Sequence, residues 1–385
     1  MRNSVIKGCL IGNAILVSID RTGTIADKEN KAFIPNDYNI PLGYAAYIFD
    51  KSFTKENIDN FLTYSPNATI LYDVEDTSSL VNFDVVEIDT NGILRKVYSD
   101  LSGDNVLFIT NKCNSNCIMC PDSEKMRCND LGNRVPYLMR LIDLIPSDTR
   151  HITITGGEPT LIKWELLDLL EKCKSKFEKT DFLMLSNGKS FAVKEYRDAF
   201  IKAVPYNFKL AVPLYSYIAK EHDNIVRSNN SFEYTINAIQ HLQNHIDIEI
   251  RIVVMKSNYK KLDKIADYII RHLPNIKNVS FMGLELLGNA ALNRDKIWVD
   301  YKETAKYIEK AITKLYEAGI DAKIYNYPLC GLPRNLWSIA AKSITDYKVR
   351  YKPECDLCDV KCLCGGFFFS TINYKRVVAQ PIRKE

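Results

Sequence analysis

The spacing of apolar residues changes its character near residue 100. Before that point short β-rich runs alternate with turns, and Asn91-Gly92 between the runs at 85–89 and 93–98 predicts a β-hairpin. Beyond it, six apolar runs of strand length are each followed by a segment with helical spacing. Strands that alternate with helices predict a parallel sheet with right-handed crossovers. From Asp321 onward the pattern breaks down into loops, cysteines and a short β-rich tail.

The six βα units contain no dinucleotide-binding glycine fingerprint, so an α/β fold with a partial (β/α)6 barrel is favoured over a doubly wound sheet. In barrels the chemistry lies on loops that follow the carboxyl ends of the strands. We therefore predict three domains: a β-rich N-terminal domain over 1–100, the partial barrel over 101–325, and a C-terminal region over 326–385. The predicted barrel strands lie at 106–110, 151–155, 182–186, 208–212, 248–254 and 279–282.

The composition is that of an ordinary globular protein. The chain has 385 residues, 46% of them hydrophobic, and 51 Lys+Arg against 47 Asp+Glu give a net charge of +4. This excludes disordered and collagen-like classes, and so weak a charge predicts neither a nucleic-acid nor a membrane partner. The apolar run at 9–17 has no cleavage site after it and is closed by Asp20, so we interpret it as a β-strand rather than a signal peptide and expect a cytoplasmic protein.

Eight of the eleven cysteines fall into two groups, which in a reducing compartment indicates metal binding. Cys9, Cys128 and Cys173 stand apart and are interpreted as buried hydrophobes or chance thiols. The first group follows the first barrel strand with the spacing C-x3-C-x2-C, and no fourth cysteine or histidine lies near. Three thiolates can hold a [4Fe-4S] cluster with one iron left open for a chelating molecule, and a zinc loop is the alternative. The group consists of Cys113, Cys117 and Cys120.

Three further strand ends carry candidate binding residues. After the second strand, Gly156-Gly157 lets backbone approach a ligand closely, and the carboxylate of Glu158, before Pro159, can accept from an ammonium group. The third strand ends in Ser186-Asn187, where a plain Asn-Gly turn is the alternative. Arg251 on the fifth strand can point into the barrel or form a strand-end salt bridge, and Asn258 is a weaker candidate.

The C-x3-C-x2-C loop together with Gly-Gly-Glu-Pro resembles the radical S-adenosylmethionine (SAM) enzymes. The resemblance implies that the three cysteines hold a [4Fe-4S] cluster and that SAM chelates its open iron. It also implies reductive cleavage of SAM to a 5′-deoxyadenosyl radical, which abstracts hydrogen from a substrate. The SAM contacts that it implies are the backbone of Met119, where the family commonly has an aromatic residue, and Gly156, Gly157, Glu158, Pro159, Ser186, Asn187 and Arg251.

The second cysteine group lies near the C-terminus. Four thiolates suffice for a closed [4Fe-4S] cluster or a tetrahedral zinc site, and spacing alone slightly favours zinc. The pattern resembles the auxiliary-cluster domains of the SPASM and twitch type, which implies a second [4Fe-4S] cluster. The predicted ligands are Cys330, Cys355, Cys358 and Cys364; Cys362 is the alternative to Cys364, which the following Gly365-Gly366 favours.

Three stretches, at 84–120, 329–337 and 353–368, are similar to the His-Xaa-Ser-system radical SAM maturases (HxsC). That resemblance implies a ribosomally made peptide or small protein as substrate, a second radical SAM protein as partner and an external electron donor. One departure is that Pro121-Asp122-Ser123-Glu124 stands where that family usually has Ser-Gln-Pro-Pro. The alternatives are a radical SAM enzyme for a small molecule or nucleotide, and a non-catalytic zinc or iron-sulfur module.

Overall fold

The computed structural model describes residues 5–103, 105–342 and 348–383. The strands are β1 (Ile6–Lys7), β2 (Cys9–Ile11), β3 (Ile15–Asp20), β4 (Lys31–Phe33), β5 (Ala46–Asp50), β6 (Thr69–Val74), β7 (Val85–Ile88), β8 (Ile93–Tyr98), β9 (Val106–Phe108), β10 (His151–Thr155), β11 (Asp181–Leu185), β12 (Phe208–Pro213), β13 (Asp247–Val253), β14 (Asn278–Met282), β15 (Asp321–Tyr325), β16 (Ala340–Ala341), β17 (Val349–Arg350) and β18 (Phe367–Phe368). The helices are α1 (Lys55–Tyr64), α2 (Glu124–Cys128), α3 (Val135–Leu144), α4 (Trp164–Lys176), α5 (Lys194–Ala203), α6 (Ala219–Val226), α7 (Ser231–Leu242), α8 (Leu262–His272), α9 (Gly288–Leu292), α10 (Arg294–Ile297) and α11 (Tyr301–Glu317).

The chain divides into two compact units. One comprises the described residues of 1–107 together with 135–152 and 175–180, and the other 108–134, 153–174 and the described residues of 181–385. None of the helices in the described part of the chain is both long and apolar enough to cross a membrane. The three-domain division of the sequence stays a prediction.

The first unit is built around a mixed eight-stranded sheet in the order β1-β8-β7-β3-β4-β5-β6-β2. The sequence of β5 is continuously apolar because both faces of the strand are covered. Ala46 and Ile48 pack into one core cluster, and Tyr47 and Phe49 pack into another. Successive strand side chains point to opposite faces, so a strand covered on both sides needs apolar residues throughout. The hairpin predicted at Asn91-Gly92 is confirmed, with β7 and β8 paired antiparallel.

The second sheet also has eight strands, in the order β16-β15-β14-β13-β12-β11-β10-β9. Neighbours from β11 to β16 are paired in parallel. The predicted α/β class with a parallel sheet is confirmed. Neighbouring strands in this sheet are also consecutive along the chain. The carboxyl ends of the parallel strands, and the loops that leave them, therefore lie along one edge of the sheet.

Two sequence-based predictions of elements were wrong. The apolar run at 9–17 is not one strand, because the chain breaks at Gly12 with a φ of 105° and continues as β3. The parallel pattern does not end before Asp321, since β15 pairs with β14 in the register Phe281 to Ile324. In β15 only Ala322 and Ile324 are buried. Two apolar residues that alternate with polar ones are too short a pattern to predict a strand from the sequence.

Candidate active site

The three clustered cysteines lie on the irregular loop that follows β9. The end of α6 holds this loop through two backbone hydrogen bonds, from Asn116 N to Val226 O (3.1 Å) and from Ile118 N to Ile225 O (3.0 Å). Met119 is buried beside them. The loop is therefore fixed by the protein's own backbone and does not depend on the thiols for its path.

The three thiols lie close enough to affect one another electrostatically. Burial, and after it the neighbouring Cys120 and Cys113, raise the pKa of Cys117 to about 12. Burial is also the main cause that raises the pKa of Cys113 and of Cys120. Thiols in such surroundings ionise when a metal replaces their protons, because metal ligands must be deprotonated.

The Gly156-Gly157 pair packs directly on the cysteine loop. A Cβ at Gly156 would lie 2.3 Å from Thr110 O, and one at Gly157 would lie 2.3 Å from Lys112 O. Gly157 N donates to Thr110 O (2.6 Å) and Glu158 N to Lys112 O (2.8 Å). The glycines are thus needed for the approach of two backbone segments of this chain. Their predicted contact with SAM stays a prediction.

The carboxylate of Glu158 is fully buried and joins the ends of β10 and β11. Its Oε1 accepts from Thr160 N (3.0 Å), Thr160 Oγ1 (2.7 Å) and Ser186 Oγ (2.8 Å), and its Oε2 accepts from Asn187 N (2.7 Å). A carboxylate offers about four acceptor sites, so most of its capacity is already used within the protein. Pro159 opens the short 3-10 helix Pro159–Ile162 that places Thr160.

Ser186 and Asn187 connect this carboxylate to the cysteine loop. Asn187 Nδ2 donates to Asn114 Oδ1 (2.7 Å), and Ser186 Oγ accepts from Gly188 N (3.0 Å) in a turn where Gly188 has a φ of 80°. The turn that was the alternative interpretation is therefore present, and the predicted contact of Ser186 and Asn187 with SAM stays a prediction. The turn is what aims Asn187 at the loop.

Arg251 forms the salt bridge that was the alternative interpretation. Its Nε lies 2.8 Å from Oε1 of Glu249, two residues earlier on the same face of β13. The guanidinium keeps further donors, so the predicted contact with SAM stays a prediction. Asn258 has a structural role: it accepts from Met255 N (2.8 Å) and donates to Val253 O (3.0 Å) and Tyr215 O (3.3 Å).

Sequence reasoning missed a set of polar residues on α9 and just after it. Asn289 Nδ2 donates to Asn116 Oδ1 (2.7 Å) and Cys117 O (3.1 Å), and Asn293 Nδ2 donates to Ile118 O (3.2 Å). Ala290 N donates to Cys120 O (3.2 Å). Two asparagines four residues apart share one helix face, and that spacing was the only signal in the sequence.

The second cysteine group is brought together around a small apolar cluster. Burial, and after it the neighbouring thiols of Cys364, Cys355 and Cys358, raise the pKa of Cys330. Cys364 is buried, whereas Cys362 is exposed and lines a depression of about 470 Å³ beside Cys358. The structure therefore places Cys364 inside the group, as predicted from Gly365-Gly366, while its role as a ligand stays a prediction.

Backbone donors already point at two of these sulfurs. Cys364 Sγ accepts from Leu329 N (3.3 Å) and Gly366 N (3.3 Å), and Cys358 Sγ accepts from Ile382 N (3.4 Å). Hydrogen bonds to sulfur stabilise thiolates and tune iron-sulfur centres. In the described part of the chain, however, no group of three or more His, Cys, Asp or Glu is arranged so that it could hold a metal ion. Cysteine thiolates are the ligands that [4Fe-4S] clusters use, so the donor type of both groups fits such a cluster, while their arrangement as ligand sites stays a prediction.

The comparisons with known proteins give one family. Residues 107–269, less than half of the chain, match the family model of the Radical SAM superfamily. No curated protein matches the chain.

Solved structures give partial likenesses in fold. The chain is 17% identical to a histidine-tagged anSMEcpe with bound AdoMet, over 57% of this chain and 62% of that one, with a TM-score of 0.42. It is 15% identical to TYW1 with a lysine-pyruvate adduct bound, over 69% of this chain and 90% of that one, with a TM-score of 0.39. For archaeal TYW1 the identity is 16% over 48% of this chain and 60% of that one, with a TM-score of 0.32. The chain thus spans less than two thirds of the anSMEcpe chain.

Proposed function

We propose that this protein is a radical SAM catalyst whose cluster is held by Cys113, Cys117 and Cys120, because residues 107–269 match the Radical SAM superfamily model, which supports an enzyme. The domain implies a [4Fe-4S] cluster and SAM as cofactors. When bound, they supply a 5′-deoxyadenosyl radical that abstracts hydrogen from the substrate. The observation that carries the proposal is the cysteine loop itself, with three mutually interacting thiols on a segment that the backbone fixes.

The chain's own residues serve binding and orientation in this proposal. Gly156 and Gly157 let the loop after β10 pack directly on the cysteine loop, so both loops present one continuous surface at the strand ends. Glu158 holds Ser186 and Asn187 at the same edge. Arg251, with its carboxylate partner Glu249, offers the remaining guanidinium donors to a carboxylate or ribose of SAM.

Replacement of the three cysteines tests this proposal. The Cys113→Ala/Cys117→Ala/Cys120→Ala variant should lose about four irons per chain and release no 5′-deoxyadenosine with SAM and dithionite, because a three-thiolate site has no spare ligand. The fold should persist, since backbone bonds fix the loop. Iron by colorimetric assay and product by chromatography are the measurements. The matched control is Cys9→Ala/Cys128→Ala, two exposed thiols outside both groups. Product release by the triple variant would overturn the assignment.

We propose a ribosomally made peptide as the substrate, on the resemblance to HxsC and to SPASM and twitch auxiliary domains. In that proposal the four thiols Cys330, Cys355, Cys358 and Cys364 hold the auxiliary cluster. A small molecule or nucleotide is the alternative substrate. Co-expression with neighbouring small open reading frames, followed by mass spectrometry, separates them: a mass change in a peptide supports the first, and unmodified peptides with active enzyme support the second.

A further inference from the structure

Lys189 uses all three donors of its ammonium group, two of them on the cysteine loop and one on Ser228. It begins the short 3-10 helix Lys189–Ala192, directly after the turn at Gly188. Its Nζ donates to Asn114 O (2.8 Å), Ser115 Oγ (2.9 Å) and Ser228 Oγ (2.9 Å). An ammonium group has three N–H donors, so the hydrogen-bonding capacity of Lys189 is fully used.

These bonds fix the first half of the cysteine loop. Asn114 and Ser115 lie between Cys113 and Cys117, and Asn114 is held a second time through its side chain by Asn187. Ser228 lies just after α6, whose end already binds the loop backbone. Lys189 therefore ties the loop to the two segments that flank it.

Lys189 is the positive group among several acidic side chains at this edge of the sheet. Burial lowers the pKa of Lys189, while Cys113, Glu158, Cys117 and Asp223 raise it in opposition. Further along the loop, Arg127 donates to Asn116 Oδ1 and, beyond Cys120, to Asp122 O (3.2 Å). Arg127 also acts to lower the pKa of the Cys120 thiol, through its charge and a side-chain hydrogen bond. The three donors of Lys189, in contrast, end on oxygen atoms and leave the sulfurs free for a metal.

We propose that Lys189 is a positioning residue that clamps the cysteine loop and supplies a fixed positive charge favouring the reduced state of the cluster. The proposal rests on the proposed function for its redox part, because it assumes that the loop holds an iron-sulfur centre. Net charge and nearby donors set the reduction potential of such centres, and the reduced state carries one more negative charge. The electron comes from an external donor, for which dithionite stands in below.

The first experiment measures the clamp without any metal. In the metal-free full chain, Lys189→Met should speed hydrogen exchange of the amides of 114–118 by about tenfold, because charge-assisted bonds to the loop are lost. Lys189→Arg should restore much of the protection. Lys194→Met, which removes an exposed lysine paired with Asp198, is the matched control and should leave exchange unchanged. Unchanged exchange in Lys189→Met would overturn the clamp.

The second experiment measures the charge. In reconstituted full chain, a redox titration followed by paramagnetic resonance on the signal that SAM perturbs should shift to more negative potential in Lys189→Met. The Arg variant should stay near the wild-type value. An equal potential in Lys189→Met and wild type would overturn the charge role. If wild-type protein binds no iron, the proposed function fails instead, and the exchange experiment still decides the clamp.

Discussion

A single buried carboxylate, Glu158, organises the second and third strand ends at the scale of individual residues. Its four donors come from Thr160, Ser186 and Asn187, and Asn187 passes the connection on to Asn114 in the cysteine loop. A residue that the sequence marked only as a partner for an ammonium therefore also fixes the geometry of the loops. Side-chain hydrogen bonds of this kind have no local sequence pattern.

Glu158→Gln gives a prediction at this scale. The substitution replaces one carboxylate oxygen, which accepts hydrogen bonds, by an amide NH2 group, which donates them. At least one buried N–H or O–H that now bonds to Glu158 would then face another donor and lose its acceptor. We expect a lower urea midpoint for the metal-free chain, corresponding to about 1–3 kcal/mol, and weaker SAM binding by the loaded chain. Urea unfolding and equilibrium binding are the measurements.

The control for this variant is Glu171→Gln, which changes an exposed carboxylate on α4. It should alter neither quantity. If Glu158 served SAM alone, Glu158→Gln would weaken SAM binding and leave the urea midpoint of the metal-free chain unchanged.

At the scale of elements, short helices complete the site. α9 lies far along the chain from the cysteine loop, yet Asn289 and Ala290 donate to it, as does Asn293, which follows the helix. The helical spacing predicted after the last two barrel strands corresponds to α8 and α11, which have the 3.6-residue apolar period over three or more turns. The sequence pattern missed α2, α9 and α10, since four or five residues are too few to show a period.

Asn289→Ala/Asn293→Ala tests the contribution of this helix. The variant removes three side-chain bonds to the backbone and side chains of the loop, so we expect iron to be lost to a chelator about tenfold faster. Release is followed by the absorbance of the chelate under anaerobic conditions. Asn237→Ala, an exposed asparagine on α7, is the control. Equal rates in the variant and wild type would show that α9 does not support the loop.

At the scale of the whole molecule, the chain carries two separate thiol groups. The first lies on a strand-end loop and has three members, and the second lies in the C-terminal region around Leu329 and Val360. Their cysteine spacings could be read from the sequence. The burial of Cys364 and the exposure of Cys362 could not, because both residues stand in the same short segment and only packing separates them.

This arrangement predicts two clusters that can be removed independently. The Cys113/Cys117/Cys120 alanine variant should keep about four irons and a reduced-cluster resonance signal, both lost when Cys355→Ala/Cys358→Ala is added, since four thiolates close a cluster. Cys362→Ala should leave them intact, because that side chain lies outside the group. Zinc in place of iron in the triple variant would contradict the auxiliary cluster and weaken the proposal of a peptide substrate.

The bonds from Asn289 and Asn293 also bear on when the protein can be assembled in a cell. The bond from Asn293 to Ile118 spans 175 residues. Ribosomes add about 5–20 residues per second, so roughly 9–35 s separate the synthesis of the two partners. During that interval a nascent chain exposes its cysteines on a loop without these supports. For the proposed cluster, this delay favours insertion after translation over insertion into the growing chain.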